Sequence, residues 1–204
     1  MIISFDTLSP DKIYFTMIQT LMPRPVAWVL SENPDAGYNL APFSYFNAIS
    51  SNPPLIMLSI GVKPDGGPKD SRLNIEAKGY FVVHIAHREM APLVTQTSAT
   101  LPRGVSEIDA AGLETCEFPG SRLPRLTECR IAYACNLYEL REIGKAPQAL
   151  IIAEVKQVYI DDAVIEHDAK GRVMVMAEKV DPIGRLGGGE YTTFGEKINF
   201  PRPK

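Results

Sequence analysis

Short apolar runs broken by proline, glycine and asparagine recur through most of this 204-residue chain, which has 17 prolines and 15 glycines to close them. That punctuation favours short strands and turns, because neither residue sits well inside a helix or a central strand. Val26–Leu30 is one such run. The turn formers Asn33-Pro34-Asp35-Ala36-Gly37 and a second extended stretch, Tyr38–Phe46, follow it, predicting a hairpin with a long loop. Pro54–Ile60 (PLIMLSI) is apolar enough to be buried on both faces. Tyr80–Ala86, Arg130–Glu139 and Ala149–Ile160 add further strands, with a weaker one near Arg172–Met176.

Helices are fewer. Ser9-Pro10-Asp11 starts one that runs to about Leu21, with Ser9 as its N-cap. Asp70–Lys78 forms another, with Asp70 as N-cap and Gly79 just past the end. Glu89–Thr97 and Ser106–Ala111 read as helical insertions. Strand and helix do not alternate at the spacing of βαβ units. The pattern therefore predicts a mainly β fold, an antiparallel sheet closing as a barrel with peripheral helices. Neither a repeat nor a linker marks a boundary, so residues 1–204 are expected to form a single domain.

Composition removes several classes of function. The net charge is −3 with both signs interspersed, and nucleic-acid binding needs a clustered basic footprint. No stretch approaches the ~20 uninterrupted apolar residues of a membrane span, and MIISFDTLSPDKIY lacks the basic start and apolar run of a signal peptide. The three cysteines, Cys116, Cys129 and Cys135, form no CxxC pair, which fits a reduced, cytoplasmic setting. Cys129 and Cys135 share a face by even spacing, too far apart along one strand to bond, and read as small buried residues. His84 and His87 would point to opposite faces of a strand, so neither is expected to hold a metal. His167 lies in a charged turn and is expected to be exposed.

The most unusual stretch is Ala41–Pro54 (APFSYFNAISSNPP), where Ser44, Asn47, Ser50, Ser51 and Asn52 surround Phe43, Tyr45, Phe46 and Ile49. Hydroxyls and amides beside small residues suit a backbone that approaches an anion or a heteroaromatic ring closely. Composition alone favours a plainer description, a polar strand end whose serines and asparagines bond their own backbone. Lys69-Asp70-Ser71 stands at the predicted start of a helix, where unpaired N–H groups and a partial positive charge suit a phosphate. Taken alone, an ordinary helix start with a surface lysine fits it equally well.

Together PRPVAWV (23–29), NLAPFSYFNAISSNPP (39–54) and KDSRLNIEAKGYFVVHI (69–85) resemble, in order and spacing, the flavin reductase-like family of FMN-binding split barrels. A weaker echo continues through LIIAEVKQVYIDD and PIGRLGGGEY. The resemblance implies an FMN-binding split β-barrel and a homodimer with one FMN per subunit near the interface. Ser44, Tyr45, Phe46 and Asn47 would run beside the flavin ring, with Ala48, Ile49 and Ser50 adding backbone and hydroxyl contacts. Lys69, Asp70 and Ser71 would form the phosphate side; many relatives carry threonine at Ser71. Trp28 matches a position near the cofactor in relatives, although a core tryptophan is the better reading of it. In relatives the tail comparable to Arg185–Tyr191 closes over the flavin, making Arg185 and Tyr191 candidates to meet a nicotinamide or an acceptor. A mobile loop would account for its three glycines as well.

Three functions remain open to the sequence. In the first, NADH or NADPH reduces FMN, which serves a partner such as a monooxygenase or another acceptor. No G-x-G-x-x-G follows a strand, so nicotinamide binding would not be of the Rossmann type. Hydride transfer requires no acid–base dyad, so no catalytic side chain is assigned. The second is a flavoredoxin-like electron carrier that uses no nicotinamide directly. The third is a binding module without a cofactor.

Overall fold

Proline sets the first helix. In a computed structural model, which describes every residue except Ala36, Ala146, Arg202 and Lys204, α1 spans Pro10–Thr20. Pro10 occupies its first position, where a missing N–H costs nothing, and the Ser9 hydroxyl makes no capping bond. The chain continues through β1 (Arg24–Pro25), β2 (Ala27–Glu32), β3 (Tyr38–Phe43), β4 (Phe46–Ser51), β5 (Pro54–Ile60), α2 (Asp70–Lys78) and β6 (Tyr80–Ile85). An excursion follows, with α3 (Ala91–Gln96), α4 (Glu107–Ala111), β7 (Thr115–Cys116) and β8 (Arg125–Leu126). The long pair β9 (Ile131–Ile143) and β10 (Gln148–Ile160) precedes β11 (Ile165–His167), β12 (Val173–Val175), α5 (Ala177–Val180), β13 (Gly184–Arg185) and β14 (Tyr191–Thr192).

Seven strands form one antiparallel sheet in the order β3-β2-β6-β9-β10-β5-β4. Its two edge strands, β3 and β4, are consecutive in the chain and joined only by Ser44 and Tyr45. Such a link spans about 11 Å at most, so the sheet must curl until its edges lie side by side. The edges do not pair, and the barrel stays split along that seam. The outer edge of β3 explains why. Pro42 has no N–H to offer, and the Leu40 N–H donates to the Glu107 carboxylate at 2.9 Å.

Alternation along the strands produces two cores. Ala27, Val29, Ile56, Leu58, Ile60, Phe81, Val83, Ile151 and Ala153 fill the barrel, where Ile75 of α2 joins them. On the opposite face Trp28, Leu30, Leu40 and Val82 lie beneath Met90, Val94, Ile108, Phe118 and Leu126 of the excursion. β2 and β6 are therefore buried on both sides, whereas β4 is exposed along most of its length.

Several expectations need correction. Tyr38–Phe46 is not one extended stretch but breaks at Ser44–Tyr45, where the sheet changes edges. β5 buries only one face fully; on the other, Met57 and Ser59 line an open pocket beside α1. Lys69, in extended backbone, is the N-cap residue of α2; Asp70 is already helical and uses its carboxylate in ion pairs. Cys129 precedes β9 and lies in the outer core, whereas Cys135 faces the barrel, so they do not share a face. Both are buried and free as expected. Gly79 ends α2 in left-handed backbone, and the Asn33 N–H donates to the Gly37 carbonyl at 3.0 Å to close the first hairpin. Ala36 of that predicted turn lies outside the described residues. Among the described residues no helix is long and apolar enough to cross a membrane.

Candidate functional site

The seam opens into adjoining clefts. The first is bounded by Asn39, Pro42 and Phe43 of β3, by Lys63, Lys69, Asp70 and Ser71 around the start of α2, and by Ser98, Thr100 and Glu107 of the excursion. The second shares Pro42, Phe43 and Ser98 with it and adds Tyr14, Ser44, Arg185 and Tyr191. Ser44 also borders a third, apolar pocket under α1, with Met17, Leu21, Tyr45, Phe46, Asn47, Met57 and Leu150. Ser44 thus stands where the second cleft meets the third.

At the first cleft, Lys69 extends its ammonium over the Phe43 ring, 5.5 Å from the centroid. Among the described residues it makes no ion pair. Burial holds its pKa below the usual lysine range. Asp70 is differently placed: its carboxylate accepts from Lys63 Nζ at 2.9 Å and lies 3.4 Å from Arg103 Nη1. The buried Ser71 hydroxyl accepts from Asn39 Nδ2 at 2.8 Å and keeps its own proton free to donate. The cleft therefore offers a cation outside any ion pair, a hydroxyl and the N-terminus of a nine-residue helix.

Around Ser44 the organising residue is one that sequence reasoning left without a role. Buried Arg24 donates through Nη1 to the carbonyls of Ile18 (2.7 Å) and Leu21 (2.6 Å), through Nη2 to Leu186 (2.9 Å), and reaches Ser44 Oγ through Nε at 3.4 Å. It ties the end of α1, the C-terminal loop and the seam to one guanidinium. Its only sequence signal was its place in PRPVAWV. The loop is built against α1: a Cβ on Gly187 would lie 2.3 Å from the Gln19 side chain. Arg185 stacks on the Tyr191 ring, 4.5 Å from guanidinium carbon to centroid, and donates to the Gly188 carbonyl at 2.6 Å. The Tyr191 hydroxyl lies 3.0 Å from Thr95 Oγ1.

The structure thus gathers Ser44, Lys69, Asp70, Ser71, Arg185 and Tyr191 around two connected clefts. It sets Tyr45, Phe46 and Asn47 beyond Ser44, in the apolar pocket. Ala48, Ile49 and Ser50 border none of these clefts and are exposed on β4, with a bulge between Ala48 and Ser50. Trp28 is a core residue, its indole N–H donating to Thr97 Oγ1 at 2.9 Å. His84 and His87 are buried and His167 is exposed.

Comparison with known proteins agrees with this architecture. Residues 19–179 match the family described as Flavin reductase like domain. The nitrilotriacetate monooxygenase component B of Bacillus cereus superposes with a TM-score of 0.89 at 33% identity, covering 98% of both chains. The 2-nitrobenzoate 2-nitroreductase of Pseudomonas fluorescens gives 0.85 at 27% identity, over 100% of this chain and 96% of the other. A split barrel domain from Shewanella frigidimarina gives 0.83 at 21% identity over the whole of both chains, a likeness of fold.

Proposed function

The chain belongs to the flavin reductase-like family, and on that premise we propose that it is an FMN-dependent oxidoreductase reduced by NADH or NADPH. FMN would supply the redox chemistry, accepting hydride and passing electrons onward, while the protein binds and orients it. The observation that carries the reading is Lys69. A largely buried ammonium without an ion-pair partner is costly, and here it stands at a helix start with Ser71 beside it. A phosphate monoester is the ligand that such a corner fits.

Beyond Pro42 and Phe43, which line both the first and second clefts, Ser44 begins the ring side. Tyr45 and Phe46 offer apolar surface and Asn47 an amide. Ala48, Ile49 and Ser50 would contact flavin along the exposed strand β4. In a homodimer that strand would also lie near the partner. Arg185 and Tyr191 bound the opening on which a nicotinamide or an acceptor would approach. By likeness to the Bacillus cereus component, the electron acceptor would be a partner monooxygenase; by likeness to the Pseudomonas fluorescens enzyme, a nitroaromatic would take that place.

One observation favours a second reading, an FMN electron carrier of flavoredoxin type without direct nicotinamide use. Arg185 is already engaged by Tyr191 and Gly188, leaving it less free to meet a dinucleotide phosphate. The purified protein should take up FMN and turn yellow, and anaerobic NADH or NADPH should bleach it rapidly. Rapid reduction by a protein donor, with slow bleaching by both nicotinamides, would select the carrier. Lys69→Ala should weaken FMN by roughly tenfold or more while leaving riboflavin nearly unchanged, since only FMN carries the phosphate. Equal losses for the two ligands would refute the phosphate placement.

A further inference from the structure

Glu107 borders the phosphate-side cleft yet has no part in the reading above. It opens α4, is 7% exposed, and accepts the Leu40 N–H through Oε2 at 2.9 Å. Among the described residues no cation forms an ion pair with it. The charged groups around it are few. Lys63 and Arg103 are both committed to Asp70, Lys69 lies over Phe43, and Asp109 on the same helix is exposed. β3 contributes only neutral groups, the Asn39 amide and the Leu40 N–H.

We propose that Glu107 takes up a proton when a phosphate monoester enters the cleft, making its carboxyl the group that couples anion binding to pH. The inference rests on the reading of Lys69–Ser71 as the phosphate side. Its physical basis is crowding of like charge. A phosphate held by Lys69 and Ser71 brings additional negative charge into a cleft that already holds the carboxylates of Glu107 and Asp70. Asp70 keeps two cations, Lys63 and Arg103. Glu107 has none, and like charges sharing a poorly solvated site cannot all remain ionised. Burial already holds its carboxyl above the usual carboxylate range, against the opposing pull of the Leu40 N–H.

The step is simple: the carboxylate of Glu107 and a proton from solvent give the neutral acid. That acid still presents a carbonyl oxygen to the Leu40 N–H, so the edge of β3 remains capped while the charge disappears. Retention of the carboxylate would instead set two anions against each other across the cleft. Affinity for the phosphate should therefore rise as pH falls.

The test is calorimetric titration of the full chain with FMN and with riboflavin, in buffers of differing ionisation enthalpy near neutral pH. Wild-type protein should take up a substantial fraction of a proton with FMN and little with riboflavin. Its FMN affinity should fall by up to tenfold per pH unit through the range where Glu107 titrates. Glu107→Gln keeps an oxygen acceptor for Leu40, so FMN should still bind while the additional uptake disappears. The ligand phosphate titrates near pH 6 on its own and is coupled to Glu107, so the variant shows that uptake depends on Glu107 and the infrared measurement shows which group holds the proton. As a check that needs no variant, wild-type protein labelled with carbon-13 glutamate should gain a protonated-carboxyl infrared band with FMN and not with riboflavin. FMN binding with equal uptake in both proteins, or with no such band, overturns the proposal alone. If neither protein binds FMN, the phosphate-side reading falls and the proposal falls with it.

Discussion

At the scale of single residues, His84 shows how tertiary contacts decide chemistry that a sequence leaves open. Its ring is fully buried; Nδ1 lies 3.1 Å from the Trp28 carbonyl and Nε2 accepts the Leu126 N–H at 2.9 Å. The carbonyl fixes the proton on Nδ1, and the amide requires a lone pair on Nε2. Only the neutral ring satisfies both, and burial, the larger cause, helps to depress its pKa to about 4. Because the folded pKa lies below the unfolded one, the unfolded chain binds the extra proton. This contribution to stability is complete above about pH 6.5 and is lost as pH falls toward 4, amounting to about 3 kcal/mol. Urea midpoints measured across that range should show the loss, and His84→Gln should flatten that part of the profile. A variant with an unchanged profile would assign the acid sensitivity elsewhere. The spacing of His84 and His87 argued against metal ligation, but it could not reveal these partners, which lie far away in the chain.

At the scale of elements, legibility follows the range of the determining contacts. Start and stop chemistry is local, so α1, α2 with Gly79, β5 and the long strands appear where proline, glycine and apolar runs place them. The break at Ser44–Tyr45 was hidden, because it depends on the sheet curling until its edges meet. The site divides the same way. Ser44 and Lys69–Ser71 lie in contiguous motifs, whereas Glu107 reaches Leu40 across 67 positions and no local pattern announces it. The small sheet β1-β13-β14 rests on a comparable long-range fit. A Cβ on Gly184 would lie 2.9 Å from the Pro23 Cβ and 3.1 Å from Thr192 Cγ2. Neither is the loose end of a flexible side chain, so Gly184→Ala should spread these strands and cost about 1–3 kcal/mol. The same change should loosen the Arg185–Tyr191 stack. Unfolding at the wild-type urea concentration would show that the tail strands accommodate the methyl group.

At the scale of the whole molecule, the uncovered surface is the telling feature. α1 buries none of its residues, although Tyr14 and Phe15 are 60% and 59% exposed, and an eleven-residue helix is marginal in water without apolar packing. Leu21, Met22 and, on β4, Ile49 extend the exposed apolar surface. The apolar pocket under α1 joins the helix to Tyr45, Phe46 and Asn47, the start of the strand proposed to meet the flavin ring. A patch of this kind marks an interaction surface, and the homodimer that the family resemblance implies would cover it. About 800 Å² per partner would be typical for a stable pair. Sedimentation should then give twice the chain mass at micromolar concentration, and Phe15→Asp should shift the protein toward monomer. Because Ala48–Ser50 are exposed on β4 in the single chain, the monomeric variant should also bind riboflavin less tightly, while the phosphate cleft of each chain remains intact. A wild-type monomer with full flavin affinity would show instead that one chain completes the site and that α1 is covered by something other than a second copy.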